Sequence, residues 1–510
     1  MRSEEVKRWL PYIGVLFAAV LLVVFESDFL YTAQAQNLFL HTPLFFEQQM
    51  VKSGGLLTWA GCYLTQFFYY PVLGAGLLCL LWAFFVWQLK HTFRLNHTWP
   101  ALVPVASLVL TVVTLGYWIY YQKLQGVLFD ATVGAIAAVA MAWIYRILPA
   151  KYGLKSVFIL VAACTGYPLF GFYGLWGVTL MALLAWRTKS SRWVLDSLLA
   201  VLSVIAVPLV CYHTLYHETN IVGIYWTALP VFATHGERFL TYYAPYVVLI
   251  ASTVLLAVHP TMNIPQKRQR WISAAVLVVT TVWVAFSWYK DGNFHRELSM
   301  SRNMDEGRWG RMLETAKAVK GEPTRAICLM RNLALFRLGQ TGDETVNYPN
   351  GSALPNAPFP VRMIHTIGKR LYLEYGIPNY CYRWCMEDGV EYGWTAERLR
   401  LMTLCSLANG EFVAAQHYIS MLKKTDFHGS WARHYEQMLY RPQRIADDPT
   451  LKPIIPLLRT ASFLTSDQSQ LEHFLIEHLM SMPDVNSEQR ELTRFTTRYY
   501  QRNRCKIIEP

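Results

Sequence analysis

The chain has 510 residues, 54% of them hydrophobic and only 16% charged, with a mean hydropathy of +0.22. That balance excludes a protein soluble along its whole length, and the length leaves room for two domains or more. The formal net charge of +12 is not a nucleic-acid signature, because no basic stripe with interleaved aromatics appears.

Up to about Tyr289 the chain is a series of long uncharged runs. A helix needs about 20 apolar residues to cross a bilayer. Runs at Leu10–Phe25, Pro71–Leu89, Pro100–Tyr121, Gly126–Tyr145, Ser156–Leu169, Phe172–Trp186, Trp193–Leu215, Tyr242–Val258 and Trp271–Tyr289 predict nine spans. The fifth and sixth are short, and "YPLFGFYG" between them reads as a tight hairpin or a re-entrant turn. The glycines at 171, 174 and 177 form a close-packing face, not a nucleotide loop. An A-x-A pattern at Ala33-Gln34-Ala35 follows the first run. Phe29, Leu30 and Tyr31 separate it from the end of that run, so the first span reads as an uncleaved anchor.

Orientation follows from the basic residues of the loops. Arg2, Lys7, Arg8, Lys90, Arg94, Arg146, Lys151, Lys155, Arg187, Lys189, Arg192, Lys267, Arg268 and Arg270 fall on one side. Only Lys52, Lys123 and Arg238 fall on the other. The first side is expected to be cytoplasmic. The N-terminus then lies inside and residues 290–510 lie outside the cytoplasm, on a multi-pass protein of the inner membrane.

The first outer loop, residues 26–70, is not linker-like. "AQNLFLHTPLFFEQQMV" and the aromatic-rich "GGLLTWAGCYLTQFFYYP" are too short to span and suit helices lying in the interface. A first span, a carboxylate pair in "VVFESDFLY", two interfacial helices and a bundle together resemble the membrane module of GT-C glycosyltransferases. The resemblance covers roughly the first 290 residues. It implies a lipid-linked sugar donor, with an Asp or Glu of the first outer loop as base or metal ligand. A closer resemblance is to an uncharacterised bacterial family of polytopic membrane proteins, known only as a domain of unknown function. It is carried by "GGLLTWAGCYLTQFFYYPVLGA" and "LANGEFVAAQHYISMLKKTDFHGSWA", and it implies a shared architecture without an activity.

Few titratable groups face outward in the membrane half. Glu26 and Asp28 are candidate catalytic carboxylates; in an extended segment they would point the same way. The bland reading is a solvated helix end. Asp130, about one turn into the fourth span, is costly there unless partnered; it either pairs with Lys123 or a tyrosine, or serves substrate binding. His213 and His217 are four apart with Glu218 beside them, a spacing that can hold a divalent metal, although no H-E-x-x-H supports it. Arg238 is the only Arg of the outer loops and a candidate for holding a substrate phosphate. Sugar transfer needs a base for the acceptor hydroxyl and a cation for the leaving phosphate. No P-loop or G-x-S-x-G occurs, which leaves an ATPase or an ordinary serine hydrolase unsupported.

After Lys290 the chain turns charged. "MDEGRWGRMLETAKAVKGEPTRAICLMRNLALFRLGQTGDE" and "WTAERLRLMTLCSLANGEFVAAQHYISMLKKT" each read as a helix pair, turning at Gly321-Glu322-Pro323 and at Asn409-Gly410. "SDQSQLEHFLIEHLMSM" and "NSEQRELTRFTTRYYQR" suggest a third. The rhythm is TPR-like without the full signature, an irregular α-solenoid of the kind that binds protein partners. Five of the nine cysteines lie here, and no C-x-x-C supports a zinc ribbon or a thioredoxin motif. The expected protein is therefore all-α, a polytopic bundle followed by an extracytoplasmic repeat domain. It either acts on a polyprenyl-phosphate sugar or anchors a partner as a scaffold. A transporter is weaker, because the spans lack charges near their middles.

Overall fold

The structure is a computed structural model that describes residues 2–95, 99–121, 126–149, 153–189, 192–216, 220–230, 232, 239–258, 265–340 and 363–462. These residues form helices and turns, with no strand among them. The chain divides into two compact units. The first comprises Met1–Ser27, His41–Leu115 and Leu124–Tyr289; the second comprises Asp28–Leu40, Gly116–Lys123 and Lys290–Pro510. Two short stretches of the apolar half thus belong to the C-terminal unit, an assignment the hydropathy pattern did not suggest.

In the first unit every apolar run is helical. The helices are α1 (Arg2–Ala35), α2 (Pro43–Met50), α3 (Gly55–Thr65), α4 (Pro71–Phe93), α5 (Leu102–Val113), α6 (Trp118–Tyr121), α7 (Val127–Ile147), α8 (Leu154–Phe170), α9 (Phe172–Thr188), α10 (Trp193–Thr214), α11 (Phe239–Val258) and α12 (Gln266–Ser287). Helix α6 and the end of α1 fall in the second unit. Among the described residues four helices are long and apolar enough to cross a bilayer: Pro11–Ala35, Pro71–Phe93, Val127–Ile147 and Trp193–Thr214. Leu102–Val113, Leu154–Phe170, Thr241–Ala257 and Ala274–Ser287 are apolar but shorter. Val24, Leu80, Leu255 and Phe286 stand exposed around this unit, as on helices surrounded by lipid.

The run expected as a third span, Pro100–Tyr121, is not one helix. Helix α5 stops at Val113, and Gly116, at φ 54°, turns the chain before α6. A left-handed residue ends a helix, and glycine adopts that conformation without a Cβ penalty. The 171–177 glycines do serve close packing. A Cβ on Gly174 would lie 2.2 Å from the Gly166 carbonyl oxygen of α8, and one on Gly177 would lie 3.2 Å from the Ala138 backbone of α7.

Helix α5 packs on α11 and α12. Gly14 of α1 faces Leu102 at the start of α5, while the Tyr289 N–H, just past α12, donates to the Val113 carbonyl at 3.0 Å. The indole of Trp288 reaches Glu26. Helices α1, α5 and α12 therefore run in the same direction.

The second unit is built of α13 (Gly292–Asp305), α14 (Trp309–Lys317), α15 (Arg325–Arg337), α16 (Gly368–Glu374), α17 (Pro378–Tyr392), α18 (Ala396–Asn409), α19 (Phe412–Leu422), α20 (Gly429–Tyr440) and α21 (Ile455–Ser462). Local chemistry sets their ends. Asp291, Thr324 and Thr395 accept backbone N–H groups at the starts of α13, α15 and α18. Gly410, at φ 76°, closes α18 and starts the turn into α19. Met300, Met312, Met330 and Leu333 belong to one core cluster. Leu38 joins a second with Leu373, Met402, Ile419 and Met438. The backbone N–H of Ala396 donates to the Asn37 carbonyl at 3.0 Å, so residues 36–38 seat the start of α18. The helix pair expected after Thr465, and the stretch 341–360, lie outside the described residues.

Candidate functional site

Glu26 interrupts the regular backbone of α1, with φ −116° and ψ 15°. Its side chain is buried, 4% exposed, and accepts a hydrogen bond from the Trp288 indole N–H. Trp288 also meets the Phe25 ring edge-on, with centroids 5.5 Å apart. The carboxylate stands at one end of an apolar groove of about 240 Å³ between α1, α5 and α12. It is not a solvated helix end.

Asp28 has a different setting. The segment is helical on either side of the break at Glu26, not extended. Asp28 Oδ1 accepts from Arg302 Nη1 at 2.9 Å, and the guanidinium lies 4.9 Å over the Tyr31 ring. Arg302 Nε donates to Glu306 at 3.2 Å. Burial alone would lower the Arg302 pKa, but the bonds to Asp28 and Glu306 lift it above its ordinary value. Asp28, Arg302, Asn303, Arg308, Arg311 and Glu314 line an open polar cavity of about 360 Å³ within the second unit. Arg308 pairs with Glu306, yet its Nε is buried with no hydrogen-bond partner among the described residues.

Asp130 sits in the first turn of α7 against α3. A Cβ on Gly61 would lie 1.8 Å from its Oδ1, so a glycine is what admits the carboxyl there. That oxygen is buried without a hydrogen-bond partner among the described residues. Lys52 is a charge that acts on it, and Tyr173 and Tyr246 lie within its electrostatic reach. His213, in the last turn of α10, is exposed beside Tyr212. His217, Glu218 and Arg238 lie outside the described residues, as does Lys123. Among the described residues no three His, Cys, Asp or Glu side chains gather to hold a metal.

Several buried polar groups had escaped the sequence reading. Glu297 accepts from Tyr117 Oη at 2.8 Å and from the Thr324 hydroxyl. Burial raises its pKa, the two hydrogen bonds oppose that, and the carboxyl is pushed up to about 7. The signal was present: Glu297 lies three residues past Phe294 and next to Leu298, on the apolar face of α13. Lys369 Nζ and His365 Nδ1 meet the two oxygens of buried Asp388 at 2.6 and 2.9 Å. Burial opposes ionisation of Asp388, but these partners overcome it and hold the carboxyl at about 2. Gln34 bonds His428 at 2.6 Å, and burial pushes the His428 imidazole down to about 3. Tyr380 and Trp384 pack on the core, and Arg383 is exposed beside Glu387.

A sequence profile described as a family of unknown function, DUF6057, matches residues 5–486. The chain belongs to this family. The DUF6057 match runs through both units and takes in Glu26, Asp28, Asp130, Glu297 and Arg302. No curated protein and no solved structure matches the chain.

Proposed function

We propose that this DUF6057 protein is a multi-pass inner-membrane protein of the cell envelope that transfers a sugar from a polyprenyl phosphate. The observation that carries the reading is the cavity of Asp28, where two carboxylates, Asp28 and Glu314, stand among three guanidiniums. Arg308 and Arg311 supply the positive charge that a leaving phosphate needs. Asp28 accepts the proton of an acceptor hydroxyl while the acceptor oxygen bonds to the anomeric carbon and the sugar–phosphate bond breaks. A divalent cation does not suit this cavity, because its two carboxylates are outnumbered by arginines that repel a metal. A metal at His213, His217 and Glu218 is no part of the proposed step.

Nine spans are the topology this reading adopts, with the N-terminus cytoplasmic and the second unit outside. The basic loops support it. So does the shared direction of α1, α5 and α12, which carry the first, third and ninth runs, all odd-numbered. The rival reading, a scaffold that holds a protein partner on TPR-like hairpins, has support of its own. Val390, Val413 and Tyr440 stand 78%, 85% and 78% exposed on α17, α19 and α20.

The test uses the full-length protein in lipid nanodiscs with a polyprenyl-phosphate sugar. The wild type should retain the lipid. Arg311→Ala should weaken retention, and Asp28→Asn should retain it while losing about 10²–10⁴-fold in transfer. Absence of binding by the folded wild type, or full complementation of a deletion strain by Asp28→Asn at matched abundance, would sink the transferase reading.

A further inference from the structure

We propose that the groove between α1, α5 and α12 holds one acyl chain of an ethanolamine phospholipid, with the lipid's ammonium donating to Glu26. Three observations carry this. The wall is apolar along its length, through Gly14 and Ala18 of α1, Ala106 and Val109 of α5, and Val284 of α12. The two small residues of α1 and Ala106 leave the hollow that larger side chains would fill.

The second observation is length. From Gly14 to Glu26 the groove follows twelve residues of α1, roughly 18 Å at the helical rise. The hydrocarbon core of a bilayer is about 30 Å thick, so one leaflet is roughly 15 Å deep. A chain from the leaflet on the Glu26 side fits the groove from mouth to floor.

The third is charge. Among the described residues that line the groove the only ionisable side chain is the carboxylate of Glu26, at the end where the headgroup would lie. The Trp288 indole already donates to it. A carboxylate accepts up to about four hydrogen bonds, so an ammonium can be added to the bonds that Glu26 already makes. An anionic headgroup without an ammonium brings only like charge to a site where water is scarce. This selects an ethanolamine lipid over a glycerol one. The inference rests on the bilayer placement of the first unit and not on the transferase reading.

The probe is a phosphatidylethanolamine with a photoreactive group at the end of one acyl chain, added to the full-length protein in nanodiscs. Crosslinks should map to α1 near Gly14–Ala18. Unlabelled phosphatidylethanolamine should compete about tenfold better than phosphatidylglycerol of the same chains, the scale of one charge-assisted hydrogen bond. Ala106→Phe should cut the crosslink by about tenfold as the ring fills the groove. Glu26→Gln, near-isosteric, should keep the crosslink and bring the two competitors within about twofold of each other. If Ala106→Phe yields no folded protein, Glu26→Gln carries the test alone. Asp28→Asn should leave the crosslink unchanged, which separates this proposal from the transferase reading. The proposal is overturned by crosslinks that avoid α1, α5 and α12. It is equally overturned if phosphatidylglycerol competes as well as phosphatidylethanolamine in the wild type, or if Glu26→Gln leaves the preference intact.

Discussion

Replacing Glu297 by Gln should change how the second unit responds to pH. The carboxyl has an ordinary value of 4.5 and is pushed up to about 7 in the fold. A raised carboxyl binds its proton more tightly in the folded than in the unfolded chain. Its contribution to stability is therefore complete below about 4.5 and is lost as pH rises through about 7. The difference, at about 1.4 kcal/mol per unit, amounts to about 3 kcal/mol between pH 4 and pH 8. Glutamine cannot ionise, and its carbonyl still accepts from Tyr117 or Thr324. The neighbouring Asp291 charge, which adds to the rise, is unchanged. The assay is the unfolding of wild type and Glu297→Gln in the same detergent at steps from pH 5 to pH 8.5. Taking the difference between the two proteins cancels every other titrating group. The variant should be the less stable at pH 5, where it loses one good acceptor, and should gain on the wild type by about 3 kcal/mol as pH rises. A difference that stays flat across that range would refute the protonated, buried carboxyl.

Lys369→Met should destabilise by about 3–5 kcal/mol, because it strands buried Asp388 beside His365 and Arg398, and chemical denaturation would register the loss. Arg302→Ala should cost no more than about 1 kcal/mol by the same assay, since both partners of the Asp28 pair are about a quarter to a third exposed and solvent screens them. Gly61→Ala should lose about 1–3 kcal/mol through the clash with Asp130, and adding Asp130→Ala should restore part of it, as a thermal-melt double-mutant cycle would show. Acidification should weaken the second unit through His428, whose stabilising effect is present above about 6.5 and is lost as pH falls toward about 3. His428→Gln should remove that component of the pH profile.

Features set by local pattern were legible in the sequence. The apolar runs could be placed because helix length and hydropathy are local. The turn at Asn409-Gly410 could be placed because glycine suits the left-handed residue that closes α18. The break in the third run was not legible, since Gly116 lies inside an apolar stretch that reads as continuous. Glu26 and Asp28 were visible as the first carboxylates after a span, but their roles were not. Arg302 lies 274 residues from Asp28 and Trp288 lies 262 from Glu26, and no local pattern announces partners that far away. Glu297 was the reverse case, a charge visible beside Phe294 and Leu298 whose burial the helical period of α13 could have indicated.

The membership of residues 28–40 and 116–123 in the C-terminal unit has a consequence for how the chain is made. Leu38 joins a core cluster completed by residues from 372 to 454, and Gln34 meets His428 across 394 residues of sequence. Contacts of that separation form only after the loop between them has closed, which makes folding slow. The continuation of α1 is synthesised almost first and must wait, with Phe29, Leu30 and Leu38 unburied, until nearly the whole chain has left the ribosome. Throughout that interval an apolar segment stands open to wrong partners, so the nascent protein would depend on chaperoning. A soluble fragment begun at Lys290 would lack Tyr117, Leu38 and the strut that seats α18. It would be a poor stand-in for the domain it resembles on paper.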